Sequence, residues 1–133
     1  LLLMLTPGIT GKKELTVTEA YTARSLSSGA LPVFGTPMLV ALMEGCAHES
    51  VLPCLEKGQG TVGTGLDIQH LAPTPVGGHV RAESLLVKVE GRLLTFEVRA
   101  YDEAGLIGQG THIRCIISED RFMQKAQSRL ETK

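Results

Sequence analysis

Hydrophobic and polar positions divide this chain into a weakly alternating start, a long apolar block and a second half that alternates again. Residues 12–18 (KKELTVT) alternate and end in β-branched side chains, which predicts a first strand. A short helix is expected to open at Glu19, while Ser27, Ser28 and Gly29 read as loop. At Thr36 and Pro37 the pattern changes. Threonine is a favourable N-cap, and proline suits the first helical turn, where its missing N–H has no partner to lose. Met38 to Met43, then Cys46, Ala47, Val51, Leu52 and Leu55, are apolar around most of the helical circumference. They predict a helix over about 36–56 that is buried on most sides. Pro53 is expected to distort its last turns and Gly58 to end it.

Beyond it, Val62, Thr64, Leu66, Ile68, His70 and Ala72 share one parity, which predicts a strand with one mostly apolar face. Residues 73–78 connect it to a strand over 79–90, whose parity changes near Ser84 to Leu86 and suggests a bulge. Gly91 and Arg92 turn the chain into Leu94, Phe96, Val98 and Ala100. Residues 102–105 turn it again into a last strand over 106–117, and residues 119–130 read as a surface helix. Short links favour antiparallel neighbours. A sheet of this length needs one face covered, and the 36–56 helix is the one large apolar cover. The expected fold is therefore α+β: a five-stranded antiparallel sheet wrapped around a central helix, the hot-dog architecture.

Composition narrows the function classes. A chain of 133 residues supports one domain, here 1–133, and 43% hydrophobic with 20% charged residues is a globular composition. A formal charge of −1 argues against dedicated binding to duplex nucleic acid, and three Phe, two Tyr and no Trp argue against stacking platforms for single strands. Three cysteines without a C-x-x-C point to a reducing compartment, so a cytoplasmic location is expected. Residues 1–5 are apolar but too short for a leader, no run is long enough to span a bilayer, and no membrane partner is expected.

Three residues look out of place. Glu44 interrupts the apolar helix, where burying a carboxylate is costly unless it is paired or neutralised. Thr36, Val40 and Glu44 fall within about 80° of one another around the helix. His70 shares the apolar parity of the strand expected to face that helix. A hydroxyl, a carboxylate and an imidazole thus converge on the helix–sheet boundary, which suits hydrolysis. The structural alternatives are a plain cap for Thr36, a strand histidine for His70 and a paired buried acid for Glu44. A metal site built from Glu44, His48, Glu49 and His70 is the competing constellation, but no H-E-x-x-H is present and none is expected. His48 and Glu49 are expected to face solvent or a partner chain. Gly63 and Gly65 permit close approach by a ligand or another chain. Arg114, with His112 nearby, is a candidate for an anionic ligand; the preferred reading of both is a strand-surface position.

The run from Thr36 to Glu44 (TPMLVALME), then residues 60–70 (GTVGTGLDIQH), 73–77 (PTPVG), 89–92 (VEGR) and 108–114 (GQGTHIR), resembles the fluoroacetyl-CoA thioesterase branch of the hot-dog superfamily. The resemblance covers roughly residues 10 to 125. It implies acyl-CoA hydrolysis to free acid and CoA, without metal or cofactor, with Thr36, Glu44 and His70 as the catalytic set and Gly63 lining the site. It also implies active sites at the interface of a homodimer, or a higher oligomer, whose sheets join edge to edge. Fluoroacetyl-specific members carry bulky aromatics in the segment before the central helix. Residues 25–32 (SLSSGALP) have none, and Phe34 is the nearest aromatic and an expected substrate contact. A more general thioesterase is the expectation. An acyl-CoA hydratase or dehydratase of the same fold, or a non-catalytic acyl-CoA-binding module, are the alternatives.

Overall fold

The computed structural model describes residues 4–131, so the first three positions of the apolar opening stretch lie outside the described residues. The chain runs β1 (Thr10–Thr16), α1 (Thr36–Val51), β2 (Gln59–His70), β3 (His79–Glu90), β4 (Leu93–Asp102), β5 (Gly105–Ser118) and α2 (Glu119–Ser128). The five strands form one antiparallel sheet in the order β1-β3-β4-β5-β2. β2 and β3 are not neighbours: the link over 71–78, with two prolines, carries the chain across to the β4 flank that β1 then completes. That leaves β1 and β2 as the two edges.

The sheet wraps α1 as the apolar pattern predicts. Leu39, Leu42, Met43, Cys46, Ala47 and Val51 of α1 are buried against Val80, Ala82, Leu86, Leu94, Phe96, Val98 and Ile107 of the sheet. Ala100 completes this apolar layer, and Thr61, His112 and Arg114 are buried polar residues that mark the site. The predicted helix over 36–56 is α-helical only to Val51; Leu52–Cys54 form a single 3-10 turn around Pro53, which lacks the N–H an α-helix would use. The short helix expected at Glu19 is likewise one 3-10 turn, Glu19–Tyr21. Cys46, Cys54 and Cys115 are free thiols.

Two departures matter for the site. Thr36 is not the N-cap: Gly35 holds that position and Thr36 is the first helical residue, so its hydroxyl is released for another partner. And β2 does not keep one parity. Its register with β5 jumps between Gly63 and Gly65, making Thr64 an extra, bulged residue. Before the bulge Thr61 and Gly63 face α1 with Arg114; after it Leu66, Ile68 and His70 do so, paired with His112, Gly110 and Gly108. Val62 and Thr64 are thereby turned to the opposite face. The bulge expected near residues 84–86 lies between Leu86 and Lys88.

Candidate active site

The polar residues of the α1-facing side form two clusters. In the first, Thr36 Oγ1 lies 2.7 Å from His70 Nδ1. The end of β2 delivers the imidazole to the first turn of α1, where the helix dipole favours negative charge on the hydroxyl oxygen. Phe34, 1% exposed, meets the ring edge-on at 6.4 Å between centroids. His70 Nε2 is buried with no hydrogen-bond partner among the described residues. Burial pushes this imidazole below its ordinary pKa of 6.5, with the Ala72 backbone opposing the shift. A neutral ring bonded to a hydroxyl is the pairing that activates an oxygen nucleophile. Beside it lies a cavity of about 290 Å³, walled by Val33, Phe34, Leu71 and Pro73.

The second cluster is built around Arg114. Its Nε donates to Thr61 Oγ1 at 2.8 Å and its Nη2 to the Thr61 carbonyl at 2.9 Å. His112 Nδ1 donates to the Gly65 carbonyl at 2.8 Å, which leaves Nε2 to accept from Arg114 Nη1 at 3.1 Å. The same Nη1 stands 3.8 Å from Glu44 Oε2. A Cβ on Gly63 would come within 2.7 Å of that carboxylate oxygen, so only a glycine lets Glu44 approach the strand so closely. His112 stacks on Phe96 and is 1% exposed, and Arg114 is 6% exposed, so the strand-surface reading of both is overturned. They are buried because β5 pairs them with Phe96 and Leu94 of β4, on the face that packs against α1.

Thr36 and His70 are thus brought into contact, and Glu44 and Gly63 likewise, but the two clusters stay apart. Thr36 and Glu44 are separated by two turns of α1, about 12 Å of rise. Glu44 is not deeply buried as expected, with a side chain 40% exposed. The rival metal constellation is dispersed: His48 bonds Thr61, Glu49 pairs with Lys13, and His70 bonds Thr36.

Both site imidazoles are driven towards neutrality, His112 also chiefly by burial, although the Gly65 carbonyl and Glu44 favour its charged form. The unfolded chain protonates these rings near 6.5 and the folded chain only at lower pH, so the unfolded state binds more protons in between. Their contribution to stability is complete above that value and is lost as pH falls through the folded pKa values. Urea midpoints from about pH 7.5 to 5 are expected to decline below pH 6.5. A midpoint that rises or stays flat contradicts the burial of neutral rings.

The sequence profile of the family described as FlK, fluoroacetyl-CoA-specific thioesterase, matches residues 17–120. The chain belongs to this family. The FlK match spans both clusters, and with it the chain is a thioester hydrolase of hot-dog fold. Among its relatives, the fluoroacetyl-CoA thioesterase of Streptantibioticus cattleyicolor is 39% identical over 97 residues, 73% of this chain and 70% of that one. A solved structure of the fluoroacetyl-CoA thioesterase FlK superposes with a TM-score of 0.87 at 34% identity, covering 97% of this chain and 98% of the other. A thioesterase superfamily member from Thermus thermophilus gives 0.86 at 30% identity, covering 97% and 98%. One FlK variant, with 35% identity, a TM-score of 0.84 and coverage of 89% and 99%, was crystallised with fluoroacetate and CoA. Of the polar residues in the two clusters, sequence reasoning did not single out Thr61. Its sole signal was its place two residues before Gly63, a signal hidden by the bulge.

Proposed function

We propose that the chain hydrolyses acyl-CoA thioesters to free acid and CoA, in sites assembled from two copies. The observation that carries this is the 2.7 Å contact between Thr36 and His70. His70 accepts the Thr36 proton as Oγ attacks the thioester carbonyl. The C–S bond then breaks, and the CoA sulfur leaves with the proton from the imidazolium. Water, deprotonated by the now neutral imidazole, attacks the acyl-threonine; the acyl–Oγ bond breaks and the imidazolium returns its proton to Oγ as the acid leaves. Glu44 supplies the carboxylate that orients this water, with Arg114 fixing its position.

The two clusters of one chain are too far apart to share a substrate, and the edge of β2 offers the way to join them. Leu66 on its α1-facing side is 38% exposed, and its outer backbone edge has no strand partner among the described residues. An antiparallel two-fold pairing of β2 with a second copy, centred between Leu66 and Asp67, sets Gly63 and Glu44 of one copy against Thr36 and His70 of the other. The cavity beside His70 carries no aromatic from residues 25–32, so its acyl range extends beyond fluoroacetate to larger apolar groups.

Loss of thioester absorbance over a panel of acyl-CoAs, fluoroacetyl and aryl-acetyl included, tests the reaction. Mixing tests the assembly. Inactive Glu44→Gln and His70→Ala chains, refolded together in equal amounts, form mixed dimers with one intact site in two, for about a quarter of wild-type activity. A mixture that stays as inactive as its components places the whole site within one chain.

A further inference from the structure

The link over 71–78 inverts the usual placement of polar and apolar residues. Its apolar side chains Leu71 and Val76 are exposed, and the one buried residue from Leu71 to Gly77 is Thr74, at 0%. A buried hydroxyl is costly unless it is bonded. Thr74 Oγ1 donates to Asp102 Oδ2 at 2.8 Å, while Asp102 Oδ1 accepts the Ala104 N–H at 2.9 Å. Both carboxylate oxygens are therefore committed. A bond to a charged acceptor of this kind is roughly twice as strong as one between neutral groups.

The link is built to bring this hydroxyl inward. Pro73 and Pro75 flank it and have no N–H to offer a neighbouring strand. A Cβ on Gly78 would collide with Thr74 Cγ2, so a glycine there lets the side chain turn in. Past Thr74 the link is tied to the residue that follows β1: Gly77 N–H donates to the Val17 carbonyl and Val17 N–H to the Gly78 carbonyl, each at 2.8 Å.

The wall of the active site hangs on Thr74. Its carbonyl accepts the Phe34 N–H at 2.8 Å, and Val33 forms an antiparallel bridge with Pro75. Phe34 meets His70 edge-on, and Val33, Phe34 and Pro73 line the cavity beside that imidazole. Residues 22–35 and 71–78 both lie outside the five strands, so no sheet ladder fixes one against the other.

We infer that Thr74 and Asp102 are positioning residues for the reaction: through their hydroxyl–carboxylate bond they hold Phe34 against His70 and set the width of the acyl cavity. The inference deepens the acyl-CoA reading above and rests on it. Neither residue touches the reacting atoms. Asp102 fixes Thr74 to the β4–β5 turn, the Thr74 carbonyl fixes Phe34, and the phenyl edge fixes the imidazole.

Four variants test this. Thr74→Val removes the hydroxyl at almost unchanged volume, Asp102→Ala removes its acceptor, and Thr74→Ser keeps the bond. Ser84→Ala, the control, removes another buried hydroxyl, on β3, three strands from His70. Two readouts are independent of the fraction of protein folded. One is the ratio of kcat/KM for phenylacetyl-CoA to that for acetyl-CoA. The other is the set of His70 ring signals in proton–nitrogen correlation spectra of protein labelled at histidine, assigned by their absence from His70→Ala. Thr74→Val and Asp102→Ala are expected to raise the ratio at least about threefold, to lower kcat for acetyl-CoA about tenfold and to move the His70 signals. Thr74→Ser and Ser84→Ala should keep the wild-type ratio and signals, whatever their melting temperatures. Wild-type ratios and signals in both Thr74→Val and Asp102→Ala overturn the assignment. So does a change that Thr74→Ser shares or Ser84→Ala reproduces, since the hydroxyl–carboxylate bond is then not its cause. Signals that move as expected, in a protein whose wild type hydrolyses no acyl-CoA, uphold the positioning and overturn the catalytic reading instead.

Discussion

Replacing His70 with alanine lowers kcat for thioester hydrolysis by about a thousandfold and changes KM little, the pattern of a lost general base. The imidazole is bonded to the Thr36 hydroxyl at 2.7 Å, and burial holds it neutral, so at physiological pH it is ready to take a proton. Without it, a threonine hydroxyl is a poor nucleophile. The variant keeps its fold, because His70 sits at the end of an edge strand and its main apolar contact is the edge of Phe34. Thr36→Ser should retain much of the activity and Thr36→Val almost none. Thioester absorbance is the proper readout, since a thiol-reactive dye would also report the three free cysteines. A His70→Ala enzyme with more than about a tenth of wild-type kcat excludes the imidazole from the proton transfer.

Gly110→Ala has the largest expected effect on stability. A Cβ at this position collides with the Asp67 carbonyl oxygen and lies 2.6 Å from Ile68 Cα and 2.8 Å from Ile68 Cγ2. Two of those atoms belong to the backbone of β2, which cannot retreat without breaking its pairing with β5. Overpacking of this kind costs about 3 kcal/mol, which lowers the melting temperature by about 10 °C. Gly65→Ala is the matched control: its Cβ would meet only Ile113 side-chain atoms, at 3.7 Å and beyond, an ordinary contact. Equal melting temperatures for the two variants would show that β2 and β5 yield more readily than their register implies.

Much of this was legible in the chain because each long element carried its own period. The apolar block after Thr36 announced a helix that needed burial, and the alternation after residue 60 announced the strands to bury it. Glu44 stood out as a carboxylate within that block, and His70 as an imidazole on an apolar parity. What stayed hidden depended on contacts between distant residues. Thr36 has the ideal chemistry for a cap, and only the path of residues 22–35, which puts Gly35 in that role, frees its hydroxyl. His112 and Arg114 look like ordinary strand positions, and they are buried because β5 sets them beside Phe96 and Leu94 of β4 on the α1-facing side. The separation of Glu44 from His70 could not be read from helical angles, since rise along the axis, not rotation about it, sets their distance.

That surplus residue, Thr64, has a consequence for how related chains are read. Side chains on a strand have a frame of two, and Thr64 shifts that frame between the half of β2 that serves Glu44 and the half that carries His70. Point replacements within the strand change one side chain. The loss of a single position between Gly63 and Leu66 would instead turn one half inside out, exchanging Gly63 and Thr61 for Val62 and its neighbours on the outer face. An alignment that closes this position as a gap would assign the wrong faces to half the strand, however high its identity.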